Sequence, residues 1–183
     1  MQNFVLFGMQ GAGKGTQAKL LAEKYGFRIF ETGGELRRLM TAESTLGKQV
    51  QEIVSRGDLV PNEIVMEIIA NFLRAVPLEM PILFDGIPRS LPQKGTFDAL
   101  VRGSGRNFRA VFIDISRDEA LHRLVLRGRS DDNAAAIERR LENYEKETLP
   151  VIEAYEREGI LTRVSGMGSV EAIHQNICAV VEA

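Results

Sequence analysis

Apolar residues recur along this chain in two alternating patterns, short runs of strand type and longer stretches with helical spacing. The short runs are Phe4–Phe7, Arg28–Phe30, Ile82–Phe84, Ala110–Ile115 and Leu161–Val164. Among the helical stretches, Leu20, Leu21 and Tyr25 follow the first run, and Ile64, Val65, Ile68, Ile69, Phe72 and Leu73 form a broad apolar stripe. Leu121, Leu124 and Val125 predict a second stripe, and Ile137, Leu141, Tyr144 and Thr148 a third. Strands that alternate with helices predict an α/β fold, three-layer α/β/α, around a five-stranded parallel sheet covered on both faces. Ligands of such sheets bind beyond the carboxyl ends of the strands. The residues at those places are Gly8, Thr32 and Asp85-Gly86. The span from Glu35 to Ala75 is long and mostly helical, and reads as an insertion standing away from the sheet to cover a substrate.

Composition narrows the function classes. The 183 residues are 44% hydrophobic, enough to bury a core without disulfides or a structural metal. There is no internal repeat or Pro/Ser-rich linker, so a single domain is expected. With 26% charged residues and a net charge of -2, no general attraction to nucleic acid or to an acidic membrane is expected. Affinity for anions must come from local clusters of Lys and Arg. The one cysteine, Cys178, lies in an apolar stretch and is expected to be a small buried hydrophobe. No signal peptide and no apolar span of the ~18 residues a membrane crossing needs is apparent, so a cytoplasmic protein is expected.

The strongest chemical signal is Gly8-Met9-Gln10-Gly11-Ala12-Gly13-Lys14-Gly15-Thr16, placed between the first strand and a helical stretch. Its glycines let backbone N–H groups turn inward around a phosphate. The following helix adds its N-terminal partial charge and Lys14 a full one. Gly15 stands where a Ser or Thr usually touches magnesium, and Thr16 comes one residue later. That variant points away from GTPases and ATP motors and toward nucleotide kinases.

Two further elements follow the next strands: Thr32-Gly33-Gly34-Glu35-Leu36-Arg37, and Asp85-Gly86-Ile87-Pro88-Arg89 with Gln93. With the loop, they make the chain resemble the adenylate kinase family over nearly its whole length. Thr32, Gly33 and Arg37 match one family element; Asp85, Gly86, Pro88 and Arg89 match another, with Ile87 in place of Phe. The resemblance implies that MgATP donates a phosphoryl group to AMP, giving two ADP by direct in-line transfer. It implies ATP contacts at Gly11, Ala12, Gly13, Lys14, Gly15, Thr16, Arg127 and Gly168. Acceptor contacts are implied at Thr32, Arg37, Asp58, Leu59, Val60, Gly86, Ile87, Pro88, Arg89, Gln93, Arg129 and Arg140. Arg37 and Arg89 would grip the acceptor phosphate, a task that suits the bidentate guanidinium. Asp85 would hold the hydration shell of magnesium, near Thr16 and with no direct protein ligand. Thr32 and Gln93 favour AMP, since the pyrimidine-specific relatives tend to carry Ala and Asn there.

Arg123, Arg127, Arg129, Arg139 and Arg140 crowd one segment, with Asp131, Asp132, Glu138 and Glu142 nearby. The family match implies catalytic roles for Lys14, Arg89, Arg123, Arg129, Arg140 and Asp85, and leaves Arg139 on the surface. Charge on a phosphoryl group in flight is met mainly by positioned cations. Little chain separates Arg127 from Asp132, so a short lid without structural zinc is implied. The expected division is a core of 1–31, 76–127 and 133–183, an acceptor-binding insertion at about 32–61, and a lid at about 128–132. A monomer is expected. His122 and His174 have no second ligand at useful spacing.

Three residues depart from the family pattern. Gln10 replaces a Pro, Glu31 replaces a small polar residue, and Gly34 replaces an Asp near the magnesium waters. Either Asp85 holds the metal shell alone, or Glu31 or Glu35 compensates. These changes leave two alternatives open: a UMP/CMP kinase, and a catalytically impaired nucleotide-binding module.

Overall fold

In the computed structural model, which describes residues 2–41, 44–56, 58, 60–127 and 134–183, a parallel sheet forms the centre of the molecule. Its strands are β1 (Asn3–Phe7), β2 (Arg28–Glu31), β3 (Ile82–Asp85), β4 (Phe108–Asp114) and β5 (Leu161–Ser165). They lie in the order β2-β3-β1-β4-β5, and every pairing is parallel. Both faces are buried, which is why the strands read as continuous apolar runs.

Alternate side chains feed two cores. On one face Val5, Phe7, Phe30, Phe84 and Phe112 pack beneath α4 (Asn62–Ala75), α5 (Leu91–Gly103) and α8 (Leu149–Arg157), reaching Ile69, Phe97, Val101 and Tyr155. On the other, Phe4, Leu6, Leu83, Val111 and Ile113 pack against α1 (Lys14–Tyr25) and α9 (Val170–Glu182) through Ala18, Leu21, Ile173, Ile177 and Cys178. Cys178 is buried, as its apolar surroundings predict.

Between β2 and α4 come α2 (Thr32–Met40) and α3 (Thr45–Ser55), the latter capped by the Ser44 hydroxyl, which accepts from the Gly47 N–H. After β4 come α6 (Arg117–Arg127) and α7 (Ala134–Asn143), and α7 runs into α8 through a π-helical turn at Tyr144–Thr148. No helix among the described residues is long and apolar enough to cross a membrane.

Two expectations are corrected in detail. The fourth strand starts at Phe108 because Asn3 and Phe4 pair with Phe108 and Arg109, and it ends at Asp114, so Ile115 lies past the ladder. Val125 does not belong to the buried stripe of α6: it is 74% exposed, while Leu124 is buried. Neighbouring helical residues point about 100° apart, and only one of the two can face the core.

The carboxyl ends of three strands come level. Asp85 is in register with Leu6 on β1 and with Glu31 on β2, so Phe7, Glu31 and Asp85 close one edge of the sheet together.

Candidate active site

The glycine loop leaves β1 and turns into α1. Gly11 has φ +89, and a Cβ there would lie 2.8 Å from the Ala120 carbonyl oxygen of α6. Only glycine allows both the backbone conformation and this approach. The Lys14 Nζ donates to the Gly8 carbonyl at 2.7 Å and to the Met9 carbonyl at 3.2 Å, which folds the ammonium over the loop it follows. The free N–H groups of the first turn of α1 begin at this same place. The result is a nest of donors with a cation laid across it, suited to a polyphosphate.

Asp85 closes β3 beside this loop. Its Oδ2 lies 3.7 Å from the position a Cβ on Gly15 would take, so the bare backbone of Gly15 leaves the carboxylate facing the start of α1. Past Asp85 the chain turns sharply through Gly86 (φ +83) and a cis Ile87–Pro88 bond. The turn brings the Arg89 Nε onto the Gly86 carbonyl at 2.7 Å. The Gln93 side-chain oxygen accepts from the Arg89 N–H at 2.9 Å, and the Thr148 hydroxyl donates to the Arg89 carbonyl, also at 2.9 Å. Arg89 is thus held at three atoms before any ligand arrives.

Its electrostatics join three groups. Burial lowers the Arg89 pKa most, the Asp85 carboxylate opposes that, and the Arg140 cation lowers it further. Arg140, on α7, is therefore near enough to act on the Arg89 charge. Asp85 faces the phosphate loop, and the Arg89 guanidinium beyond it feels both that carboxylate and the Arg140 cation.

Thr32 is buried, and its hydroxyl donates to the Asp85 carbonyl at 3.3 Å, tying the start of α2 to the end of β3. Arg37, one turn on, pairs with Glu31 at 2.7 Å. Gln93 and Val60 are buried. Asp58 pairs with Arg56 at 3.2 Å and with Arg139 at 3.3 Å. Arg139 therefore links α7 to the segment after α3, a long-range contact with no signal in the sequence.

Arg123 sits differently from its neighbours in sequence. Its guanidinium donates to Glu119 at 2.6 Å and to the Gly166 carbonyl at 2.9 Å. It is tied to the loop after β5, beside Gly168, rather than paired with the Arg89 cluster. Leu59, Arg129, Asp131, Asp132 and the lid at 128–132 lie outside the described residues, and Arg127 is described only as the last residue of α6.

Sequence reasoning missed the Thr148 hydroxyl, the contacts of Gly166 and the pairing partner of Asp58. Among the described residues no cluster of three or more His, Cys, Asp or Glu is arranged as a metal cage. Asp85, facing Gly15, fits an ion that arrives on nucleotide phosphates and keeps its own waters. The Gln10 Oε1 is buried and has no hydrogen-bond donor among the described residues.

The family model described as adenylate kinase matches residues 6–160. Among curated relatives, the adenylate kinase of Bacteroides fragilis is 34% identical over 187 residues, covering 100% of this chain and 99% of the relative. That of Thermus thermophilus is 38% identical, covering 97% and 96%. That of Synechococcus sp. (strain CC9902) is 38% identical over the full length of both.

Proposed function

The chain belongs to the adenylate kinase family, and on that premise we propose how its residues divide the transfer of a phosphoryl group from ATP to AMP. The observation that carries this division is Asp85 facing the phosphate loop, with Arg89 fixed in the turn that follows it.

ATP lies with its phosphates in the loop, held by backbone N–H groups of Gly11, Ala12, Gly13, Lys14, Gly15 and Thr16 and by the Lys14 ammonium. Arg127 contacts the ATP phosphates. Gly168 belongs to the loop that Arg123 ties to α6, and this loop lines the ATP base. AMP lies between the insertion at about 32–61 and the end of β3. Arg37 and Arg89 hold its phosphate, while Thr32, Asp58, Leu59, Val60, Gly86, Ile87, Pro88 and Gln93 line its nucleoside. With its oxygen on the Arg89 backbone, Gln93 offers its side-chain N–H₂ to adenine.

The attacking group is a phosphate oxygen that is already anionic, so no strong base is needed. Catalysis is placement of two anions end to end, with cations around the group in flight. Arg89 and Arg140 approach it from the acceptor side, Lys14 from the donor side, and Arg129 from the lid at 128–132. Arg123 is added to this set as the residue that fixes the donor's position. Magnesium, when bound, would offset phosphate charge, and Asp85, with Thr16, would hold its waters. A monomer is part of this reading. A cytoplasmic setting fits the nucleotide substrates.

The test is ADP formation by the pure protein from MgATP and AMP, with CMP, UMP and GMP as competing acceptors. AMP should give the highest kcat/KM. A pyrimidine preference would reassign the acceptor, and absence of ADP would leave only a nucleotide-binding role. Lys14→Ala should lower kcat on the order of 10²–10³-fold, by analogy with the loss of one transition-state donor. An unchanged melting temperature would separate that loss from unfolding.

A further inference from the structure

We propose that Glu31 is a positioning residue for Arg37, and that a side chain at position 34 would press on the Glu31 carboxylate that does the positioning. The inference rests on the reading of Arg37 as a ligand of the acceptor phosphate.

Glu31 is the last residue of β2, in register with Asp85, and α2 begins immediately after it. Phe30 is packed into the core under α4, so Glu31, one residue later, projects to the opposite face of the sheet. There its Oε1 accepts from the Arg37 Nη2 at 2.7 Å. The first turn of α2 makes this pairing feasible. A Cβ on Gly33 would lie 3.1 Å from the Arg37 Nη1, and a Cβ on Gly34 would lie 3.2 Å from the Glu31 Oε2. One glycine leaves room for the guanidinium and the other for the carboxylate. Consecutive glycines weaken a helix start relative to alanine, and the ion pair they enclose is a reason for having both.

The pair is half-exposed, with side-chain exposures of 50% and 45%, so it does little for stability. Its effect is on the shape of the empty site. A guanidinium has five N–H donors, and the contact with Glu31 uses Nη2, so donors remain to engage phosphate oxygens. An arginine already held in place loses less side-chain freedom on binding. The Glu31 negative charge also repels the incoming phosphate, but at this exposure solvent screens it. What Arg37 requires from residue 31 is therefore an acceptor oxygen rather than a charge.

Four variants test this by AMP binding calorimetry without ATP or metal, and by kcat and KM for AMP at saturating MgATP. Glu31→Ala should raise the AMP Kd and KM about 3- to 10-fold, the range expected for freeing one long side chain, with kcat within about twofold. Glu31→Gln keeps the acceptor oxygen and should restore the AMP Kd to within about twofold of the natural protein. Gly34→Asp presses on the Glu31 carboxylate and should raise the AMP Kd in the same direction as Glu31→Ala and by no more. The double variant should be no worse than Glu31→Ala alone, because both act on the same contact. An unchanged or tighter AMP Kd in Glu31→Ala overturns the inference, as do losses that multiply in the double variant. Arg37→Ala distinguishes the two levels. If it leaves the AMP Kd unchanged, the acceptor-site reading falls and this inference with it; if it weakens AMP and Glu31→Ala does not, only this inference falls.

Discussion

At the scale of single residues, the site is defined as much by missing side chains as by present ones. Gly86 combines φ +83 with a Cβ position 2.9 Å from the Arg89 Nη2. Gly86→Ala would have to strain the turn and displace the guanidinium, with backbone strain alone costing about 1–3 kcal/mol. Steady-state kinetics should give an AMP KM raised on the order of tenfold and a lower kcat. Gly95 is the contrasting case: it lies inside α5, and nothing stands within 4 Å of the position of its Cβ. Gly95→Ala should leave both kinetic constants unchanged and gain about 0.5–1 kcal/mol. That corresponds to a rise of roughly 1–4 °C in melting temperature. If the two alanine variants behave alike in kinetics, the role given to Gly86 is wrong.

At the scale of elements, the sequence was most legible where one pattern repeated over several turns. Val65, Ile69 and Leu73 recur every four residues and are the buried line of α4, with Ile64, Ile68 and Phe72 partly buried beside them. Ile137, Leu141, Tyr144 and Thr148 likewise mark one face through α7 and the π-helical turn. The loop at Gly8–Thr16 and the turn at Asp85–Arg89 were legible because their chemistry is local, fixed by residues adjacent in the chain. Contacts between distant segments leave no such trace: Asp58 with Arg139, Thr148 with the Arg89 carbonyl, and Arg123 with the Gly166 carbonyl all depend on how elements pack. In α6, two apolar neighbours could not be ranked by spacing alone, and Val125 faces solvent. The difference is measurable in denaturant. Ile69→Ala, at a fully buried position, should cost about 2–5 kcal/mol, while Val125→Ala should stay within about 0.5 kcal/mol. A large loss at Val125 would place it in a contact that the fold does not provide.

At the scale of the whole molecule, the three tyrosines tie helices on both faces of the sheet to their surroundings, and all three favour the protonated form. Tyr155 of α8 donates its hydroxyl to Asp98 of α5 at 2.6 Å, where Lys94 also pairs with that carboxylate at 2.9 Å. Burial, then the Asp98 contact, raises the Tyr155 pKa well above the usual phenol range. Burial raises Tyr144 too, with the Asp114 carboxylate adding to it. Tyr25 of α1 bonds Glu182 of α9, and burial first, then its contacts with Cys178 and Glu182, push it up to about 12. An unfolded tyrosine titrates near pH ~10. Since the folded values lie higher, the folded state binds more protons above that pH, and stability must fall as pH rises. The contribution is fully present below about pH 10 and is lost as pH passes through the folded values, beginning with Tyr25. Lys24, raised by its contacts with Tyr25 and Glu182, acts in the same direction. Urea midpoints should therefore hold level from about pH 7 to 9 and drop between about pH 10 and 12, with tyrosinate absorbance and loss of ADP formation following the same transition. Tyr155→Phe should lower stability at neutral pH, because Asp98 loses a donor, and should also flatten the alkaline fall. Tyrosinate absorbance rising near pH 10 with the midpoint unchanged would mean that the hydroxyls titrate freely in the folded protein, and that these helices are held to the sheet without them.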